Sequence, residues 1–230
     1  MNDNGSVPAN HCPTATRRYL ALLLRVAGKK LELRSNTVAL ALCFLYKAYQ
    51  KGWKPMSTTM AGMSALFLAA KVDETPRSVR AVGGVMHALE NPESIFMPLQ
   101  LHWENKKKVV VQEHLLLRFL QFDVNMDLPY KLALNFIQTL NAKAAVAQVT
   151  ISLLDDTLAA WADSHFASQD IAVAAVYIAL KLTKQDDVPR QQLTDTAANE
   201  SWWELLGSQK VPDCCLLLLE ELRESENISL

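Results

Sequence analysis

One eight-residue pattern occurs twice in this chain, and it restricts the fold more than any other feature. Ala65-Leu66-Phe67-Leu68-Ala69-Ala70-Lys71-Val72 returns 110 positions later as Ala175-Val176-Tyr177-Ile178-Ala179-Leu180-Lys181-Leu182. Small residues fall on small, large on large, and lysine on lysine. Pro-Arg follows each copy, at Pro76-Arg77 and Pro189-Arg190. A repeat this long describes a duplicated domain rather than a solenoid, and 230 residues leave room for two small domains.

The first copy reads as the end of a buried helix. Ala61, Ala65 and Ala69 share one face, where small side chains let neighbouring helices come close. Leu66, Phe67, Leu68 and Val72 fill most of the remaining circumference, and a helix apolar nearly all round belongs in a core. Ser57 or Thr58 caps its start. Thr75-Pro76 stops it near Asp73, because the residue before a proline avoids the helical region, and the next helix is expected to open at Pro76.

Seven glycines are few, and β-branched alternation is scarce, so the pattern is all-helical. The formal net charge of −1 argues against a protein that binds nucleic acid by neutralising phosphates. No apolar run is long enough to cross a membrane, and no secretory segment is expected near Met1. The cysteines, Cys12, Cys43, Cys214 and Cys215, lack zinc-ligand spacing and point to a reducing compartment, cytosol or nucleus.

Taken in order, residues 1–13 are polar and expected to be disordered. Helices are expected over 14–27, 35–50 (capped by Ser35 or Asn36), 58–73, 76–89 (weakened by Gly83-Gly84), 102–121 and 129–140. Asn141 to Ala144 reads as the border between the halves. Helices over 144–166, from Ser168 through the second copy, and over 212–224 complete the second half. The expected domains are therefore 14–141 and 142–230, the second ending on a shortened helix.

Nothing in the chain reads as catalytic machinery. No Gly-rich phosphate loop, Gly-x-Ser-x-Gly or His-Glu-x-x-His occurs, and the five histidines are scattered. No cofactor or metal is expected. Two charges stand out instead. Lys71 closes an apolar row behind Phe67 and Leu68, and Glu113 lies four residues from both Val109 and Leu117. From spacing alone they read as an intramolecular ion pair, or as side chains reaching for water. Lys106-Lys107-Lys108 reads as a solvated face, and Trp202-Trp203 as a plug and cover for the second bundle.

LFLAAKVDETP (Leu66 to Pro76), QEHLLLRFLQFDVNMDLPY (Gln112 to Tyr130) and WWELL (Trp202 to Leu206) together resemble the cyclin box, over roughly Ala15 to Glu224. WWE and the LPY after FDV resemble the transcription-type cyclins of the K, L, T and C group more than the cell-cycle cyclins. The resemblance implies an all-α cyclin fold, with two tandem helical bundles of about five helices each. It also implies a non-catalytic subunit that binds and activates a cyclin-dependent protein kinase as a heterodimer in the nucleus. Lys71 and Glu113 would then face solvent until they hydrogen-bond main chain beside the kinase C-helix, with Leu68, Val72, Glu74, Leu117 and Phe122 lining that surface.

The cell-cycle substrate groove is not expected, since Leu20 replaces its tryptophan and Tyr46 stands near its aspartate. Two other readings stay open. A transcription-factor-IIB-like core shares the two-bundle fold but binds DNA and polymerase, and should be basic. A helical adaptor without a kinase would raise no activity.

Overall fold

The computed structural model describes residues 14–94, 96–160, 167–185, 203 and 213–216. Among them, eight helices follow in order: α1 (Thr14–Lys30), α2 (Ser35–Gln50), α3 (Thr58–Val72), α4 (Val79–Glu90), α5 (Leu99–Phe119), α6 (Pro129–Thr139), α7 (Ala144–Ala160) and α8 (Ser168–Leu182). A short helical piece covers 213–216, and the described residues contain no strand. The all-helical expectation holds. Trp161, His165, Trp202 and Pro189-Arg190 lie outside the described residues, as does the 1–13 segment.

α3 is the hub of the first unit. Every residue from Met60 to Ala70 is buried, and α1, α2, α4 and α5 all pack on it. Each large side chain held there, such as Leu66 at 0 % exposure, contributes about 1.5–3 kcal/mol relative to leaving it in water. Ser57 caps the helix by accepting the Met60 N–H at 3.1 Å.

Tertiary packing moved several helix ends away from their local signals. α1 runs past Gly28 because that glycine meets α2, and a side-chain carbon there would collide with Val38. α4 starts at Val79 instead of Pro76, with Ser78 accepting the Ala81 N–H at 3.1 Å as its cap. It continues through Gly83-Gly84. A side-chain carbon at Gly83 would already touch Met63 at 3.4 Å and Met97 at 3.6 Å.

The chain divides into two compact units, Met1–Met126 and Asp127–Leu230. The division falls well before the border expected at Asn141 to Ala144. α6 belongs to the second unit, because Ala133, Ile137 and Leu140 join Val146, Leu154, Ile171 and Val176 in one core. The repeat accounts for this. α3 and α8 are both 15 residues long and start 110 positions apart. α2 and α7 keep nearly the same offset, so α6 stands where α1 stands in the first unit.

Candidate functional site: the corner after α3

α3 ends in a Schellman closure. The Thr75 N–H donates to the Ala70 carbonyl at 2.9 Å and the Glu74 N–H to the Lys71 carbonyl at 3.3 Å, with Glu74 in the left-handed region at φ 54°. Two side chains fix this corner. Asp73 turns back over the start of α2, accepting from Asn36 Nδ2 at 2.9 Å and from the Thr37 hydroxyl. That contact takes the place of the expected self-cap, since Arg34 at the N-cap makes no side-chain bond, and a carboxylate suits a helix N-terminus. Arg77 donates from Nε to the Leu31 carbonyl at 3.0 Å and from Nη2 to Glu32 at 3.2 Å, closing the corner onto the α1–α2 turn.

Lys71 stands on this fixed corner. Its Nζ donates to Glu113 Oε1 at 2.6 Å and lies 4.0 Å over the Phe67 ring. The pair is lopsided: the lysine side chain is 45 % exposed, the glutamate 7 %. The expectation that both charges face solvent is corrected here. Glu113 is buried with Val109, Gln112 and Leu116 of α5, and the ammonium bonds it from the open side. A lysine carries three donors, so one bond to Glu113 leaves capacity for a carbonyl arriving from outside.

The other expected surface residues sort by depth. Leu68 is a core residue, 4 % exposed, and cannot meet a partner without repacking the hub. Val72 and Leu117 are half-buried, and Glu74 is exposed. Phe122 is 69 % exposed, at φ 60° directly after Gln121 at φ 58°. Its segment is held by the Phe122 N–H bonding the Leu117 carbonyl at 2.9 Å and by Lys47 Nζ donating to Asp123 at 2.8 Å. That hydrogen bond, with the lysine charge behind it, keeps the Asp123 carboxyl below the usual carboxylate range. α5 and the α3 corner thus bring Lys71, Glu113, Glu74 and Phe122 into one unit on rigid supports. Sequence reasoning missed Asp73, Asn36, Thr37 and Arg77. The Pro-Arg after each copy was a signal for the last; the others meet across more than thirty positions of chain.

The second unit copies the corner without its acid. Gln185 N–H bonds the Leu180 carbonyl at 2.9 Å, Lys184 takes φ 55°, and Lys181 lies 5.3 Å over Tyr177. Among the described residues no carboxylate pairs with Lys181, and Lys184 stands where the first unit has Glu74. No group of three or more histidine, cysteine or acidic side chains among the described residues could hold a metal.

The family profile "Cyclin, N-terminal domain" matches residues 7–125. The chain belongs to the cyclin family. Curated relatives of this cyclin include cyclin-K of Danio rerio, 28 % identical over 211 residues, covering 90 % of this chain and 47 % of the relative. Cyclin-K of Homo sapiens is 27 % identical over 90 % of this chain and 35 % of its own length. Cyclin-L1 of Gallus gallus is 25 % identical over 86 % and 37 %. All are of transcription-type groups, and the chain spans about half or less of their length.

Two solved structures share the fold. One is the CAK complex of Chaetomium thermophilum bound to ATP-gamma-S, with TM-score 0.65 and 18 % identity over 90 % of this chain and 62 % of that one. The other is the yeast RNA Pol II CTD kinase CTDK-1 complex, with TM-score 0.71 and 15 % identity over 90 % and 65 %.

Proposed function

We propose that this cyclin is the non-catalytic regulatory subunit of a cyclin-dependent protein kinase, bound as a heterodimer through the first unit and acting in the nucleus on transcription, with RNA polymerase II as the substrate class. The observation that carries the reading is Lys71: a half-exposed ammonium, fixed from below by buried Glu113 and from behind by the Asp73 and Arg77 contacts, in the same unit as exposed Phe122 and Glu74. Such a group meets a partner carbonyl with its geometry already set. Support comes from the family, from relatives of the K and L types, and from fold neighbours that are kinase complexes.

The mechanism is a population shift. An inactive kinase holds its C-helix outward, which breaks the Lys–Glu pair that positions ATP phosphates. A rigid surface that binds only the inward C-helix draws the kinase to that state, by as much as it prefers it. This cyclin contributes Lys71, Glu74, Val72, Leu117 and Phe122 as the contact. Glu113 orients Lys71, and Leu68 supports it from the core. The transcription-factor-IIB-like alternative has no comparable support: the net charge is −1 where DNA binding calls for a basic surface.

Affinity capture of the protein from native cells, read by mass spectrometry and by kinase assay of the captured material, tests the reading. It predicts one kinase chain in near-stoichiometric amount, phosphorylating an RNA polymerase II tail peptide, with no nucleic acid. Capture of polymerase and DNA without a kinase would overturn it.

A further inference from the structure

Phe67 lies four positions before Lys71 on α3, so the two side chains share one face of the helix. The phenylalanine is 9 % exposed, at the outer limit of the buried hub. Lys71 Nζ stands 4.0 Å above the ring centroid, well inside the distance at which the negative face of an aromatic ring attracts a cation. The same nitrogen donates to Glu113 Oε1 at 2.6 Å.

An ammonium has three N–H donors. Glu113 takes one. A nitrogen this close above a ring turns another to its face. One donor is left, and the 45 % exposure of the lysine side chain gives it a way out.

The ring is a feature separate from the ion pair. At an offset of 110 positions, Tyr177 and Lys181 repeat the aromatic–lysine spacing of Phe67 and Lys71. Lys181 Nζ lies 5.3 Å from the Tyr177 ring centroid, although no carboxylate among the described residues pairs with it. The duplication thus keeps the aromatic support where the acid is not found, and the shorter distance in the first unit accompanies the bond to Glu113.

We propose that Phe67 is a positioning residue for the Lys71 contact: its ring and Glu113 each hold one donor, and the corner offers the kinase a single N–H that takes one carbonyl oxygen. The inference rests on the proposed function. Glu113 alone fixes one bond, about which the ammonium can swing; the ring supplies a second point and limits the swing. Lysine is the residue this arrangement calls for. The planar fork of an arginine would stack flat on the ring and give Glu113 two donors, turning the charge away from the outside.

The test combines affinity for the kinase that wild-type protein captures with proton–carbon NMR of the uncomplexed, isotope-labelled protein. In wild type the ring current shifts the Lys71 ε-methylene protons upfield; their signal is the one that Lys71→Ala removes. Phe67→Leu should lose that shift and weaken kinase binding roughly threefold to fivefold, the scale of a partly exposed cation–ring contact. Phe67→Tyr should keep both, as tyrosine stands at the equivalent place in the second unit. Lys71→Arg should bind about as poorly as Lys71→Ala. A role in packing alone would lower the melting temperature of Phe67→Leu without changing the affinity of the folded protein. If Lys71→Ala loses affinity while Phe67→Leu or Lys71→Arg binds like wild type, or if the wild-type methylene is unshifted, the positioning role is overturned and the corner stands. If Lys71→Ala itself binds like wild type, the reading of the α3 corner fails and takes this one with it.

Discussion

Lys71 and Glu113 pair within the first unit and are proposed to serve a kinase surface as well, and removing them separates the two roles. Lys71→Ala leaves a 7 %-exposed carboxylate without its partner. Water replaces part of the bond through the open side of the site, so the stability cost is about 1 kcal/mol rather than that of a fully buried pair. Glu113→Ala takes away the buried charge itself and leaves the lysine free to turn to solvent. It should cost kinase affinity through misplacement of the ammonium, with Glu113→Gln recovering part of it. A double-mutant cycle in thermal unfolding, with a coupling near zero, would count against the pair seen here.

The thiols make a pH prediction at the same scale. Burial pushes Cys43 and Cys214 up to about 12 and Cys215 to about 11. A raised folded value means that the folded state holds its protons longer. The stability these thiols contribute is complete below the ordinary thiol range and is lost as pH rises through it toward 11 and 12. Alkaline unfolding should therefore move to higher pH in Cys43→Ala. An unchanged alkaline midpoint would contradict the desolvation of this half-buried thiol.

At the scale of elements, the helices built by local chemistry were readable and the ones set by distant contacts were not. α3 and α8 were visible because their patterns lie within single turns, and so was the Ser57 cap. The start of α4 was not. The preference of proline for a first helical turn lost to Arg77, which holds that segment against the Leu31 and Glu32 carbonyls. The burial of Glu113 was likewise invisible, because its spacing among Val109 and Leu117 suits either depth until α3 lays Lys71 over it.

Two substitutions test this layer. Gly28→Ala forces a side chain into Val38 across the α1–α2 contact and should destabilise by about 1–3 kcal/mol. Asp73→Ala removes the acceptor that joins the end of α3 to Asn36 and Thr37 and should cost about 1–2 kcal/mol, the range of a lost helix cap. If Asp73→Ala melted like wild type, the corner would owe its rigidity to something else.

For the whole molecule, duplication is the organising fact. The offset that aligns α3 with α8 also puts α6 in the place of α1. The polar Asn141 to Ala144 turn is thus a connection inside the second unit, equivalent to the one between α1 and α2. A sequence reading that carried the offset back past the matched segment would have found this. The two corners share their backbone closure and their lysine over an aromatic ring, but Glu113 holds Lys71 while no described acid holds Lys181. With the kinase proposed on the first corner alone, Lys181→Ala should bind it as wild type does.

The most direct measurement is the affinity of Lys71→Ala and Lys181→Ala for the kinase that wild-type protein captures, taken beside their melting temperatures. The account predicts a loss of roughly thirtyfold for Lys71→Ala, as for one charge-assisted hydrogen bond of about 2 kcal/mol. Its melting temperature should fall by about 2–4 °C, and Lys181→Ala should leave affinity unchanged. A much larger fall in melting temperature, with the surviving folded protein binding like wild type, or an equal loss in Lys181→Ala, would contradict it.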